Sequence, residues 1–169
     1  MTPTLSCNAL DGISTPQTLE IKGYIKNKKV IVLIDSGSTH NFIHYKLAKD
    51  LICFVYLVPK FQVMITDGGT INCSRKCNNI NLTMGKYVMN IPMTAIPMGG
   101  ANVVLGIQWL QSLGTIDFNF HELFMKFSLE GKEIELRGIT GKPGKVISSN
   151  SMRASRCYCT TILTICSNI

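Results

Sequence analysis

From Thr18 onward, apolar and polar positions follow the two-residue period of strands that bury one face. Leu19, Ile21 and Tyr24-Ile25 lead to a turn at Asn27-Lys28 and then to the unbroken apolar run Val30-Ile31-Val32-Leu33-Ile34. The segment from Asn41 to Leu51 spaces Phe42, Tyr45 or Lys46, and Leu47 as a short helix, with Thr39 or Asn41 as its N-cap. Strand character returns from Phe54 to Ile65, and Asp67-Gly68-Gly69 marks a tight hairpin before Thr70 to Cys73. Asn79 to Thr83 and Tyr87 to Ala95 pair around Gly85, and Val103-Val104-Leu105 is a short buried strand. Ile107 to Leu113 reads as a helix closed by Gly114. Ile116 to Phe120, Leu123 to Leu129 and Glu133 to Leu136 form a meander with turns at His121-Glu122 and Glu130-Gly131.

Many short strands with one or two small helices predict a mainly β domain. Residues 1–17 are polar and turn-rich and read as a leader or linker, and the domain is expected over residues 18–140. Gly141, Pro143 and Gly144 then break any element, so residues 141–169 read as a disordered or truncated tail.

The composition narrows the function. The chain has 169 residues, 46% hydrophobic and 16% charged, which suits one folded domain with a real core. Its net charge of +7 favours acidic partners. The basic residues are scattered in short pairs such as Lys28-Lys29 and Arg75-Lys76, so nucleic acid is not an expected partner. Seven cysteines cannot all pair with one another, and the first ten residues lack the basic and apolar regions of a signal peptide. Reduced thiols in the cytoplasm are the simpler expectation. No apolar run is long enough to cross a bilayer. The spacings of Cys73, Cys77, Cys157, Cys159 and Cys166 fit no zinc motif, so no metal is expected.

The chemistry is concentrated where the apolar strand runs into Asp35-Ser36-Gly37-Ser38. Such a strand delivers Asp35 at its end. Gly37 permits a turn tight enough to aim backbone amides at the carboxylate, and the serine hydroxyls can donate to it. Four residues alone also fit an ordinary strand-to-helix turn. His40 reads as a turn or helix-start residue rather than a base, and Trp109 as a core anchor for the short helix.

Two blocks taken together carry more. Val32-Leu33-Ile34-Asp35-Ser36-Gly37-Ser38-Thr39-His40-Asn41-Phe42-Ile43 and Val103-Val104-Leu105-Gly106-Ile107-Gln108-Trp109-Leu110 resemble the retroviral-type aspartic proteases, and more closely those of plant gypsy-type retrotransposons. Gly114-Thr115-Ile116 and Leu123-Phe124-Met125-Lys126-Phe127 look like the meander that follows, so the resemblance covers roughly Thr18 to Gly138. It implies a retropepsin-like closed β-barrel with Asp35 as catalytic aspartate, Gly37 and Ser38 fixing the carboxylate, and Ser36 joining a hydrogen-bonded grip between two subunits. It also implies a flap at Thr66, Asp67, Gly68 and Gly69, and packing of Leu105 and Gly106 beside the active-site loop. Asn102 departs from the family, which commonly has Asp there. Thr115, Phe118 and Asn119 stand where Pro, Trp and Asp are more usual.

The other aspartates, at positions 11, 50, 67 and 117, sit in no second Asp-Ser/Thr-Gly turn. A protease of this type therefore needs a homodimer with one aspartate from each subunit. The expected activity is endopeptidase processing of a retroelement polyprotein through an activated water, without cofactor. The competing reading is a catalytically silent retropepsin-like module for dimerisation or binding. A Gag-like nucleic-acid-associated fragment lacks its zinc knuckle.

Overall fold

The computed structural model describes residues 2–12, 18–51 and 55–139. In chain order they form β1 (Thr4–Leu5), α1 (Cys7–Asp11), β2 (Leu19–Ile25), β3 (Lys28–Ile34), β4 (Phe42–His44), α2 (Tyr45–Asp50) and β5 (Val55–Ile65). There follow β6 (Thr70–Met84), β7 (Tyr87–Ile96), β8 (Val103–Leu105), α3 (Ile107–Leu110), a 3₁₀ turn (Gln111–Leu113), β9 (Ile116–Asn119), β10 (Phe124–Leu129) and β11 (Lys132–Arg137).

The first hairpin shows how the pattern becomes structure. Leu19, Ile21, Gly23 and Ile25 of β2 are buried, and the residues between them are more exposed. Lys26 and Asn27 both adopt positive φ, the conformation of a tight two-residue hairpin, one residue earlier than the sequence suggests. Strand β3 is buried on both faces. Val30, Val32 and Ile34 join the larger hydrophobic cluster, while Leu33 faces a second, smaller one. Strands β4 and β8 divide in the same way: Ile43, Val103 and Leu105 enter the larger cluster, Phe42 and Val104 the smaller. Continuous apolar runs are what two-sided burial requires.

Strands β6-β2-β3-β8-β4-β7 lie side by side, and β7 pairs back onto β6 to close a six-stranded barrel. The β3–β8 and β4–β7 pairs are parallel, whereas β4–β8 is antiparallel. The meander β9–β10–β11 forms a separate three-stranded sheet. It contributes Met125, Phe127 and Leu136 to the larger cluster. There Phe127 meets Tyr87 and Trp109 edge-on, at centroid distances of 5.4 and 6.2 Å.

Three expectations are revised. The predicted helix from Asn41 to Leu51 begins only at Tyr45, because Phe42 and Ile43 pair with β7 and β8 instead; His44 is the N-cap, its side chain accepting from the Lys46 amide. Thr70 to Cys73 and Asn79 to Thr83 are one strand, β6, whose register slips between Cys77 and Ile80, with Asn79 at positive φ. Within residues 1–17, read as a leader, β1 and α1 pack into the body, and Leu5 and Ala9 are fully buried. Phe54 and the tail 141–169 lie outside the described residues. Among those described, no helix is long and apolar enough to cross a membrane.

Candidate active site

Strand β3 carries the chain through the interior and ends at Asp35, which is only 5% exposed. Its backbone amide donates to the Leu105 carbonyl at 3.0 Å, extending the parallel β3–β8 ladder by one bond. The carboxylate is held from three sides. Gly37 N–H donates to Oδ1 at 2.9 Å, and the Ser38 hydroxyl donates to Oδ2 at 2.7 Å. The Ser6 hydroxyl also donates to Oδ2, at 2.5 Å. A backbone amide and two hydroxyls thus fix the plane of the carboxylate without placing a charge against it. At Gly37, a Cβ would stand 3.1 Å from Asp35 Oδ1 and 3.3 Å from Ser6 Cβ, so any side chain there would crowd the carboxylate. Ser36, next to Asp35 in the chain, is exposed.

Leu105 and Gly106 lie directly against this loop. Ile107 N–H donates to the Ser38 carbonyl at 2.8 Å and Gln108 N–H to the Thr39 carbonyl at 3.0 Å. Gly106 N–H donates to the Asn41 side-chain oxygen at 3.1 Å. The backbones approach so closely that a Cβ on Gly106 would come under 3.0 Å from the carbonyl oxygens of both Ser38 and His40. Only glycine fits between them.

The hairpin at Thr66, Asp67, Gly68 and Gly69 joins β5 to β6. Ile65 N–H donates to the Gly69 carbonyl at 2.8 Å, Gly68 N–H to the Ile65 carbonyl at 2.9 Å, and Gly68 takes φ 95°. Asp67 caps the turn by accepting from Gly69 N–H at 2.8 Å. Thr66 does not stand free. Its amide donates to the Leu5 carbonyl at 3.1 Å, and its hydroxyl accepts from Cys7 N–H at 3.0 Å. The segment before α1 therefore lies between the hairpin and the Asp35 loop, since Thr39 N–H also donates to the Thr4 carbonyl at 2.9 Å.

His40 sits on the same loop, its Nδ1 2.8 Å from the Thr39 hydroxyl. Burial, and then the nearby charge of Lys76, hold its imidazole below the ordinary 6.5. Trp109 is 3% exposed within the larger cluster, as a core anchor is. Among the described cysteines, Cys7, Cys73 and Cys77 are buried, and burial pushes the Cys73 thiol up.

Three residues of the site have roles that local sequence does not show. Ser6 lies in a stretch without period. Asn41 and Asn102 act through their side-chain amides at range: Asn102 Oδ1 accepts from Ile31 N–H at 2.7 Å while its carbonyl accepts from His44 N–H at 2.8 Å, tying β3 to β4. The departure from Asp at position 102 keeps an acceptor oxygen at that place.

A family model described as the PEG10/RTL1 protease domain matches residues 31–130, more than half of the chain. No curated protein matches the chain by sequence. Among solved structures, the retroviral protease-like domain of Ddi1 from Leishmania major is similar at 10% identity, covering 73% of this chain and 94% of that one, with a TM-score of 0.50. A retropepsin-like aspartic protease from Rickettsia conorii is similar at 16% identity, covering 63% of this chain and 80% of that one, with a TM-score of 0.44. The closed barrel is of the retropepsin-like type.

Proposed function

The chain belongs to the PEG10/RTL1 protease domain family, and from that premise we propose that it is an aspartic endopeptidase whose one catalytic carboxylate is Asp35. The observation that carries this reading is the buried Asp35 side chain, held by Gly37 and Ser38 on a loop locked against Gly106. A carboxylate used as general base needs a fixed direction, and the bonds from Gly37 and Ser38 supply one.

One carboxylate does not complete the mechanism. Two carboxylates held close share a single proton, because like charges at short range oppose double ionisation. The ionised member takes a proton from water, which attacks the scissile carbonyl, while the protonated member polarises the carbonyl oxygen. The second carboxylate comes from a second copy of the chain, with exposed Ser36 at the contact between the two loops. Thr66 to Gly69 serve as the flap over a peptide substrate, and Leu105-Gly106 as the buttress that fixes the loop. The catalytic domain spans residues 18–140, and the natural substrate is a retroelement polyprotein, a reading supported by the resemblance of the two blocks to plant gypsy-type proteases.

The test is cleavage of a peptide library by the purified full chain, with and without a statine-type transition-state analogue, beside the Asp35→Asn protein. Cleavage that is lost on both treatments supports the reading. Cleavage that persists in Asp35→Asn defeats it. The silent-module alternative is favoured by one observation, the residues 3–6 that fill the space beside Asp35. It would be adopted for a wild type that dimerises and cuts nothing.

A further inference from the structure

The Asp35 carboxylate already has a peptide against it. Strand β1 runs parallel to β5, with Thr4 opposite Met64 and Leu5 opposite Ile65. On that side Met64 N–H donates to the Pro3 carbonyl at 2.8 Å and Thr66 N–H to the Leu5 carbonyl at 3.1 Å. On the other side the active-site loop takes it up. Thr39 N–H donates to the Thr4 carbonyl at 2.9 Å, Thr4 N–H donates to the Thr39 hydroxyl at 2.8 Å, and Ser6 N–H donates to the Ser38 hydroxyl at 3.1 Å. A short extended segment is thus hydrogen-bonded along both edges, the arrangement by which a cleft binds a peptide as an added strand.

The side chains fit the same description. Leu5 is fully buried in the smaller cluster with Leu33, Phe42, Val63, Ile96 and Val104. Leu33 and Phe42 flank the Asp35 loop in sequence, and Val104 lies one residue before its buttress, so this apolar pocket borders the carboxylate. The next residue, Ser6, places a hydroxyl on Asp35 Oδ2. Together with Ser38 it occupies both lone pairs of that oxygen. A hydroxyl at this place is what a tetrahedral intermediate presents to a catalytic carboxylate.

Beyond Ser6 the segment ceases to resemble a substrate. A scissile peptide must stay extended on both sides of the carboxylate, whereas this chain turns into α1 at once. Ser6 is the N-cap of that helix, its hydroxyl also accepting from Ala9 N–H at 3.1 Å. The helix is then fastened down: Gly99 N–H donates to the Leu10 carbonyl at 2.6 Å, and Gly12 and Gly100 meet backbone to backbone.

We infer that residues 3–6 are an internal competitor for the peptide cleft beside Asp35. The ligand that displaces them is an extended peptide carrying an aliphatic side chain in the place of Leu5. This rests on the proposal that the Asp35 cleft takes peptide, and it adds that the cleft is closed to peptide until its own N-terminal segment leaves.

The experiment measures binding separately from cleavage. A fluorescent statine-type peptide with a leucine-like side chain is titrated into the full chain, into Leu5→Asp and into Ser6→Ala. Leu5→Asp puts a charge into the apolar pocket and expels the segment; Ser6→Ala removes one hydroxyl and covers the case in which Leu5→Asp does not fold. Binding at least tenfold tighter for Leu5→Asp, or severalfold tighter for Ser6→Ala, bears the inference out. The same affinity for wild type and the folded variants overturns it. Tighter binding without cleavage by any of the proteins sustains the inference and removes the protease reading. Cleavage that depends on Asp35 but is unchanged by either substitution does the reverse.

Discussion

Replacing Gly106 by alanine tests whether the Asp35 loop is held by backbone contact, because it adds a single methyl group. That methyl would lie under 3.0 Å from the carbonyl oxygens of Ser38 and His40, where ordinary contact begins at 3.4 Å. Neither carbonyl is the end of a flexible side chain, and each oxygen would be 2.4 Å from the methyl, so the loop backbones must retreat by about 1 Å to reach ordinary contact. Overpacking of this kind costs about 1–3 kcal/mol. The retreat also stretches the Ile107–Ser38 bond of 2.8 Å and the Gly106–Asn41 bond of 3.1 Å, each worth about 1 kcal/mol net. With partial relaxation the expected loss is about 2–4 kcal/mol. Urea unfolding followed by tryptophan fluorescence reads it directly, since Trp109 lies three residues away in the larger cluster. With a slope of about 2 kcal/mol/M, the midpoint should fall by roughly 1–2 M at unchanged slope. Any activity should fall more steeply, by about 100-fold, because the loop that aims Asp35 moves with its buttress. A midpoint within about 0.3 M of wild type, with activity intact, would refute the account of how the loop is positioned.

Asp35→Asn should abolish cleavage while the fold survives, since the hydroxyls of Ser6 and Ser38 can turn to accept from the new amide; a melting temperature within a few degrees of wild type, on the order of 1–2 kcal/mol, checks the second half. Specific activity should fall on dilution as the two half-sites separate, and excess Asp35→Asn chain should poison wild type; constant activity per chain from a demonstrated monomer by light scattering would contradict this. His40 gives the pH dependence. Its folded imidazole stays neutral below the ordinary 6.5, so the unfolded chain binds the extra proton first. Its contribution is complete above pH 6.5 and is lost as pH falls from there through the folded value, and His40→Gln should flatten the melting-temperature profile over that window.

The barrel was largely legible in the sequence because its strands obey simple burial rules. Val30 to Ile34 read as a strand without alternation, and two-sided burial between the clusters is the reason. Asp35-Ser36-Gly37-Ser38 and Leu105-Gly106 were legible as blocks, and the structure places them in direct contact. Phe42 and Ile43 were misread as helical because two adjacent apolar residues suit either state; only β7 and β8, more than fifty residues later, settle the matter. Thr4 to Ala9 carried least signal. Their structure comes from bonds to Thr39, Met64 and Thr66 and from a pocket built by other strands, none of which local pattern can show.

The bond from Asp35 to Leu105 also sets a timetable. The groups that steady the loop come from about seventy residues further along: Gly106 lies 65 positions from Asn41, and Asn102 lies 71 from Ile31. Closing a loop of that length costs roughly 4 kcal/mol of chain entropy before any contact rewards it, and such non-local pairing folds slowly. A nascent chain that has left the ribosome only as far as β7 carries every residue of the Asp-Ser-Gly-Ser turn and none of its buttress. The carboxylate acquires its orientation late, when β8 slides in beside β3. Translation itself then delays the alignment, and the Asp35 loop is not held until about seventy residues after it has been made.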